Sequence, residues 1–247
     1  MKGFKAMDYT QELKEYKHNL FDKEIGKPAR EYLKKRNITP KTAIAWNLGY
    51  CPMDYMPECY SKTEYPFWEK MWGRLILPVY NSNGELLTLS GRAISDDIKP
   101  KYMHYQFPTS FTLFGLYINE KNILKDNYMI FTEGQFDVIS AWQHGLKNVA
   151  CTFGAHFSAN QILLASRYTN HVLVLYDDDE AGQEGALKSY KKLKIHGDVE
   201  VKLLKGILKN GEDLDNWVQH HNVSLFQKLA KSNEEALLKY RLKKIME

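Results

Sequence analysis

From Asn127 onward the chain alternates short apolar, β-branched runs with longer helix-forming stretches. The runs NYMIFTEG, NVACTFG, HVLVLYDDD and DVEVKLLKG are separated by QFDVISAWQHGL, SANQILLASRY and EAGQEGALKSYKKLKIHG. A helix between two strands returns the chain to the same end of one sheet, so this alternation predicts an α/β unit with a parallel sheet. A ligand site is then expected at the carboxyl ends of the strands.

The first half reads differently. Leu13, Tyr16, Leu20, Phe21 and Ile25 recur at roughly helical spacing. Pro28 sits where a second helix can begin, Asn37 where it can stop, and Thr39-Pro40 matches the cap and first position of a third. Two or three small helices up to about Asn47 follow. In GRLILPVYNSNGELLTLSGRAI the period changes, and two β-rich runs flank Asn81-Ser82-Asn83-Gly84, a hairpin signal. Beyond the parallel unit, DLDNWVQHH and VSLFQKLAKSNEEALLKYRLKKIM read as one or two helices. The expected division is a helical and mixed α/β N-terminal part over 1–126, the parallel unit over 127–212 and a short helical segment over 213–247.

The chain's 247 residues, 44% of them hydrophobic, suffice for one large domain or two smaller ones. A net charge of +4 is too mild to indicate nucleic-acid binding by itself, but its distribution is informative. Lys and Arg recur through the first half, whereas the conspicuous acids come later. Cys51, Cys59 and Cys151 are odd in number and never form CxxC, which argues against a disulfide framework or a zinc ribbon. With no signal-type N-terminus and no apolar run of membrane-spanning length, a cytoplasmic protein is expected, with no membrane partner.

The acids carry the chemistry. Glu133 follows one strand run, Asp177, Asp178 and Asp179 follow another, and Asp213 and Asp215 follow the last. Parallel neighbouring strands would bring these ends to a shared point, and an all-oxygen donor set suits a hard divalent cation. Strand alternation would aim Asp177 and Asp179 one way and Asp178 the other, which favours the outer two as ligands. Asp137 falls in the first turn of the helix after Glu133, where the dipole favours a carboxylate. Any one of these acids alone reads more readily as a helix cap or a solvated loop residue. Glu-Gly at one strand end and Asp-x-Asp at another, after a complete βα repeat, form a more specific pairing.

At EGQFDV and LYDDDEAG the sequence resembles the Toprim fold shared by DnaG-like primases, type IA and II topoisomerases, OLD-family nucleases and recombination mediators. Upstream, GRLILPVYNSNGELLTLSGRAI with KPKYMH and LFGLY resembles the N-terminal half of the primase polymerase core. PAREYLKKRNITPKTAIAWNLGY is similar to the helical segment opening that core, and GEDLDNW to its third acidic motif. The resemblance covers about Ala29 to Trp217, with the motifs in the same order.

It implies Glu133, Asp177 and Asp179 as catalytic, with Asp137, Asp213 and Asp215 completing a metal-binding acidic patch for Mg²⁺ or Mn²⁺. It also implies Arg74, Arg92, Lys99 and Lys101 as contacts to template or nucleotide phosphates. Tyr102, beside Lys101, would add a ring that stacks on a base. The implied activity is that of a stand-alone, phage-like primase core, making RNA primers on single-stranded DNA from NTPs. A replicative helicase and a separate zinc-binding or accessory subunit are implied as partners, because full bacterial primases carry a zinc module that this chain has no room for. FPTSFTLFGLY also lacks the usual basic HKG-type element, and Asp178 replaces a small or apolar residue. The alternatives are a Toprim nuclease using the same acids, and a non-catalytic subunit that binds single-stranded DNA or a helicase.

Overall fold

In this computed structural model, residues 8–60, 67–107, 109–153, 157–196, 199–204, 206–209 and 211–231 are described. The chain divides into two compact units, Met1–Pro108 and Thr109–Glu247.

In the first unit, α1 (Thr10–Phe21), α2 (Lys27–Lys35) and α3 (Pro40–Ala45) precede β1 (Gly49–Cys51), a 3-10 turn at Phe67–Met71, β2 (Arg74–Tyr80), β3 (Leu86–Ala93) and β4 (Tyr102–His104). The strands form an antiparallel sheet in the order β1-β2-β3-β4. The sequence signals act as expected. Pro28 lies in the first turn of α2, Asn37 stops that helix with a φ of 55°, and the Thr39 side chain caps α3 by accepting from the Thr42 amide. At the β2–β3 turn Gly84 has a φ of 85°, and Asn81 Oδ1 accepts from the amides of Asn83 and Glu85. A buried cluster beneath the sheet includes Tyr9, Tyr16, Met71, Ile76, Leu89 and Tyr105.

The second unit contains a short 3-10 turn, α4 (Leu116–Asp126), β5 (Met129–Thr132), α5 (Gln135–Gln143), β6 (Val149–Cys151), α6 (Ala159–Ser166), β7 (His171–Val174), α7 (Glu180–His196), β8 (Glu200–Leu203), α8 (Leu214–His220) and α9 (Ser224–Lys231). Its four strands are all parallel, in the order β6-β5-β7-β8. The α/β reading of this half therefore holds. Phe131, Ala150, Val172, Val174 and Phe157 are buried in its core, where the Phe131 and Phe157 rings meet edge to face at 4.3 Å. The part of the C-terminal helical reading beyond Lys231 lies outside the described residues.

The division falls earlier than the 126/127 boundary expected from the sequence, and no third part separates at 213. Long-range hydrogen bonds explain both differences. Asn119 Nδ2 donates to the Val149 carbonyl, and Phe114 bridges Cys151, which attach α4 to the parallel sheet. At the other end the Asp178 amide donates to the Glu212 carbonyl, and Ser140 Oγ reaches the Asp215 carbonyl, so α8 packs on α5. No helix among the described residues is long and apolar enough to cross a membrane.

Candidate active site

The strand order locates the acids. From β5 the chain steps to β6 on one side and then crosses to β7 on the other, so its direction of travel reverses between β5 and β7. Loops leaving the carboxyl ends of two such strands diverge and open a crevice, the usual ligand position in open α/β sheets. Glu133 leaves β5 and Asp177 follows β7, so both flank this crevice.

Local hydrogen bonds set each carboxylate. Glu133 is exposed, and its carboxylate accepts from the Asp177 amide. Partial desolvation of the carboxyl raises its pKa, that bond lowers it, and the negative charges of Asp179 and Asp137 raise it further. Asp137, 5% exposed in the first turn of α5, accepts at Oδ2 from Thr132 Oγ1 and from the Gly134 amide, both at 2.9 Å. Burial, with Asp177 and Asp213 adding repulsion, pushes its carboxyl up to about 7. Charges that raise one another's pKa in this way mark a site that favours a cation.

Strand β7 ends at Val174 and its pairing with β5 closes with the Leu175 amide on the Phe131 carbonyl, two residues short of Asp177, so strand alternation does not set the directions of the three aspartates. The loop into α7 sets them instead. Asp179 is exposed and accepts from the Gly182 amide at 2.7 Å, capping α7, while Asp178 accepts from Gln183 Nε2 at 3.1 Å. Asp213 caps α8 through the Asn216 amide at 2.8 Å. Asp215 is buried on α8 beside Gln219 Nε2.

The expectation of six acids around one point is therefore narrowed. Among the described residues no group of three or more His, Cys, Asp or Glu side chains could hold a metal ion. Asp137, Asp179 and Asp213 each accept from a helix-terminal amide, which occupies one oxygen of each. The donor set still fits Mg²⁺ or Mn²⁺, because such ions take one or two carboxylates and complete their shell with water and substrate phosphate. Glu133 and Asp177 are the two carboxylates that flank the crevice.

Two glycine and threonine contacts were not anticipated from the sequence. Thr132 holds Asp137, and Gly182 lies against Glu133, where a Cβ would stand 2.6 Å from Glu133 Oε1. The only sequence signal for them is position, with a hydroxyl residue just before Glu-Gly and a glycine three residues after the last aspartate.

The expected basic residues all lie in the first unit, on β2, β3 and the turn into β4. Arg92 and Tyr102 are cross-strand partners, with the guanidinium 4.9 Å from the ring centroid. Lys99 and Lys101 are exposed on the turn. Arg74 is different: it is 3% exposed and donates from Nε to the Lys70 carbonyl and from Nη1 to the Pro100 carbonyl.

Residues 130–218 match the protein family described as Toprim-like. The chain is 30% identical to the DNA primase of Aquifex aeolicus (strain VF5) over 231 residues, 85% of this chain and 46% of that protein. A DNA primase domain from Pseudomonas aeruginosa superposes with a TM-score of 0.76 at 25% identity, covering 88% of this chain and 75% of that one. The chain carries a Toprim-like domain and has the architecture of the DnaG primase catalytic core. A DnaG catalytic domain described as bound to single-stranded DNA shares the fold, with a TM-score of 0.75 at 22% identity over 87% of this chain and 74% of that one. The chain spans less than half the length of the curated primase it matches. Within this Toprim domain, Glu133 and the Asp177–Asp179 run both fall inside the matched residues.

Proposed function

We propose that this chain is the catalytic core of a DNA primase, joining NTPs into short RNA primers on single-stranded DNA. The observation that carries the reading is the placement of Glu133 and Asp177 at the carboxyl ends of adjacent parallel strands, where the sheet changes direction. Primase relatives, and a solved core of this fold described as bound to single-stranded DNA, support the substrate class.

Glu133, Asp177 and Asp179 would hold Mg²⁺ or Mn²⁺, with Asp137 and Asp213 adding negative potential. A cation held there supplies charge neutralisation for triphosphate oxygens and lowers the pKa of a 3′-hydroxyl. The chain's part is to fix the carboxylates: the Asp177 amide orients Glu133, and Thr132 with the Gly134 amide orients Asp137. Arg92, Lys99, Lys101 and Tyr102 are proposed to contact template or nucleotide phosphates, the ring offering a stacking face. Arg74 supports that turn through the Pro100 carbonyl. A replicative helicase and a separate zinc-binding or accessory chain are the proposed protein partners, and the cytoplasm the compartment.

The test is primer synthesis on a library of single-stranded templates with labelled NTPs and Mg²⁺ or Mn²⁺, comparing wild type with the double variant Asp177→Ala/Asp179→Ala. Short RNA products that vanish in the variant are the expected result. Metal-dependent template cleavage without NTPs would instead make the chain a nuclease, and template binding with neither reaction would make it a non-catalytic subunit.

A further inference from the structure

The first unit also carries a groove of about 570 Å³ lined by the end of α1, by α2 and by the turn into α3. Its floor is aliphatic: Leu20, Leu33, Ile38 and Ala43 are all buried. Phe21, 43% exposed, stands at the rim with the cations Arg30 and Lys34, and no acidic side chain is among the lining residues. Ile44, next to Ala43, is 61% exposed. The walls are fixed by their own hydrogen bonds. Arg30 donates to the carbonyls of Leu20, Asp22 and Lys23, which braces the α1–α2 turn. Asn37, with its left-handed backbone, and the Thr39 cap set the turn from α2 into α3.

We propose that this groove docks a short amphipathic helix of a partner protein, with aliphatic side chains facing the floor and carboxylates flanking them. An amphipathic helix in an apolar groove is anchored by side chains at i, i+3, i+4 and i+7, which an open aliphatic floor accepts. Several features select this occupant. Successive nucleic-acid bases need several aromatic platforms, whereas this groove has one exposed ring, Phe21, beside an aliphatic floor. Small ligands need a few convergent polar groups, whereas the Arg30 donors are directed at backbone carbonyls. A rim with cations and no anion favours an acidic partner and repels a basic one. The groove is built from residues of the first unit and the acidic site from residues of the second, so the inference stands whether or not the chain primes.

The experiment is a selection of helix-forming peptides from a random display library against the full chain, counter-selected on the double variant Phe21→Ser/Lys34→Glu. Selected peptides are then measured by fluorescence anisotropy. Expected are sequences with aliphatic residues at helical spacing flanked by Asp or Glu, whose binding weakens about tenfold when those acids become Lys. Phe21→Ser and Lys34→Glu, each tested alone, should weaken binding by about the same factor. Phe21 is 43% exposed and Lys34 is exposed, so the urea midpoint should fall modestly in each while far-UV circular dichroism stays that of the wild type, and Lys34→Ala, which adds no charge, should weaken binding in the same direction. No enrichment over the double variant, or enrichment of basic peptides, would overturn the proposal. Displacement of the peptide by single-stranded DNA would assign the groove to nucleic acid and overturn it. Self-association of the chain abolished by Phe21→Ser would assign it to a second copy, with the same consequence.

Discussion

Gly182 and Glu133 share a space that no side chain on residue 182 can enter. A Cβ there would stand 2.6 Å from Glu133 Oε1 and press on the Asp177 carbonyl. In an exposed helix Gly→Ala stabilises by about 1 kcal/mol. Here the sign should reverse, because Gly182→Ala would overpack a site whose nearest atom is backbone, at a cost of about 1–3 kcal/mol. Displacing a carboxylate by about 1 Å costs on the order of a hundredfold in rate. Urea unfolding and primer-synthesis assays of Gly182→Ala should therefore both show losses, with the loss of activity the larger.

Thr132 should matter more than its small size suggests. Thr132→Val keeps the shape but removes the hydroxyl that donates to Asp137 Oδ2 in a buried setting. Oδ2 keeps the Gly134 amide, so the loss is one hydrogen bond, about 0.5–1.5 kcal/mol, or about 1.5–3 kcal/mol when the carboxyl is ionised. Thr132→Ser should recover most of the stability and activity that Thr132→Val loses. Equal behaviour of the two variants would show that the hydroxyl is not what holds Asp137.

Arg74 and Lys101 should separate by assay. Arg74→Lys cannot reproduce both guanidinium bonds, to Lys70 and Pro100, and is expected to destabilise the first unit by about 1–3 kcal/mol in denaturant unfolding. Lys101→Ala is exposed and should leave stability within about 0.5 kcal/mol. Its effect should appear in single-stranded DNA affinity, with the slope of log K against log salt reduced by about 0.7 for one lost phosphate contact.

Glu12 makes the stability of the first unit depend on pH. Its carboxylate is buried and accepts from the hydroxyls of Tyr16 and Tyr105 at Oε1 and of Tyr60 at Oε2. Burial raises its pKa, the three hydroxyls lower it and Glu15 adds to the rise, leaving it above the ordinary value of 4.5. The folded state therefore holds this proton more tightly than the unfolded chain. The stabilisation is complete below the unfolded pKa and is lost as pH rises through the folded value. Glu12→Gln keeps an acceptor for Tyr16 and Tyr105 and should flatten this decline in urea midpoints measured from about pH 4 to about pH 8.

Much of the architecture was legible before any coordinates. The alternation after Asn127 indicated the parallel sheet, Asn81 to Gly84 marked the hairpin, and Thr39-Pro40 marked a capped helix start. These signals depend on interactions within a few residues, so local sequence suffices to write them. The positions of Glu133 and Asp177 just beyond apolar runs were visible for the same reason.

By itself, then, the sequence determined the elements, their type and the acids at their ends. Only the tertiary structure decided which strands are neighbours. The order β6-β5-β7-β8 brings Glu133 and Asp177 to one crevice, and no local pattern encodes that order. It also decided that β7 stops at Val174, so that helix caps rather than strand alternation orient Asp179 and Asp213. Arg74, expected from the sequence to contact template or nucleotide phosphates, is buried, because its donors find carbonyls from the preceding turn and from beyond the β3 strand. Burial, pairing order and the direction of a carboxylate are set by residues distant in the chain. Their free energies come from contacts that exist only once the chain has folded.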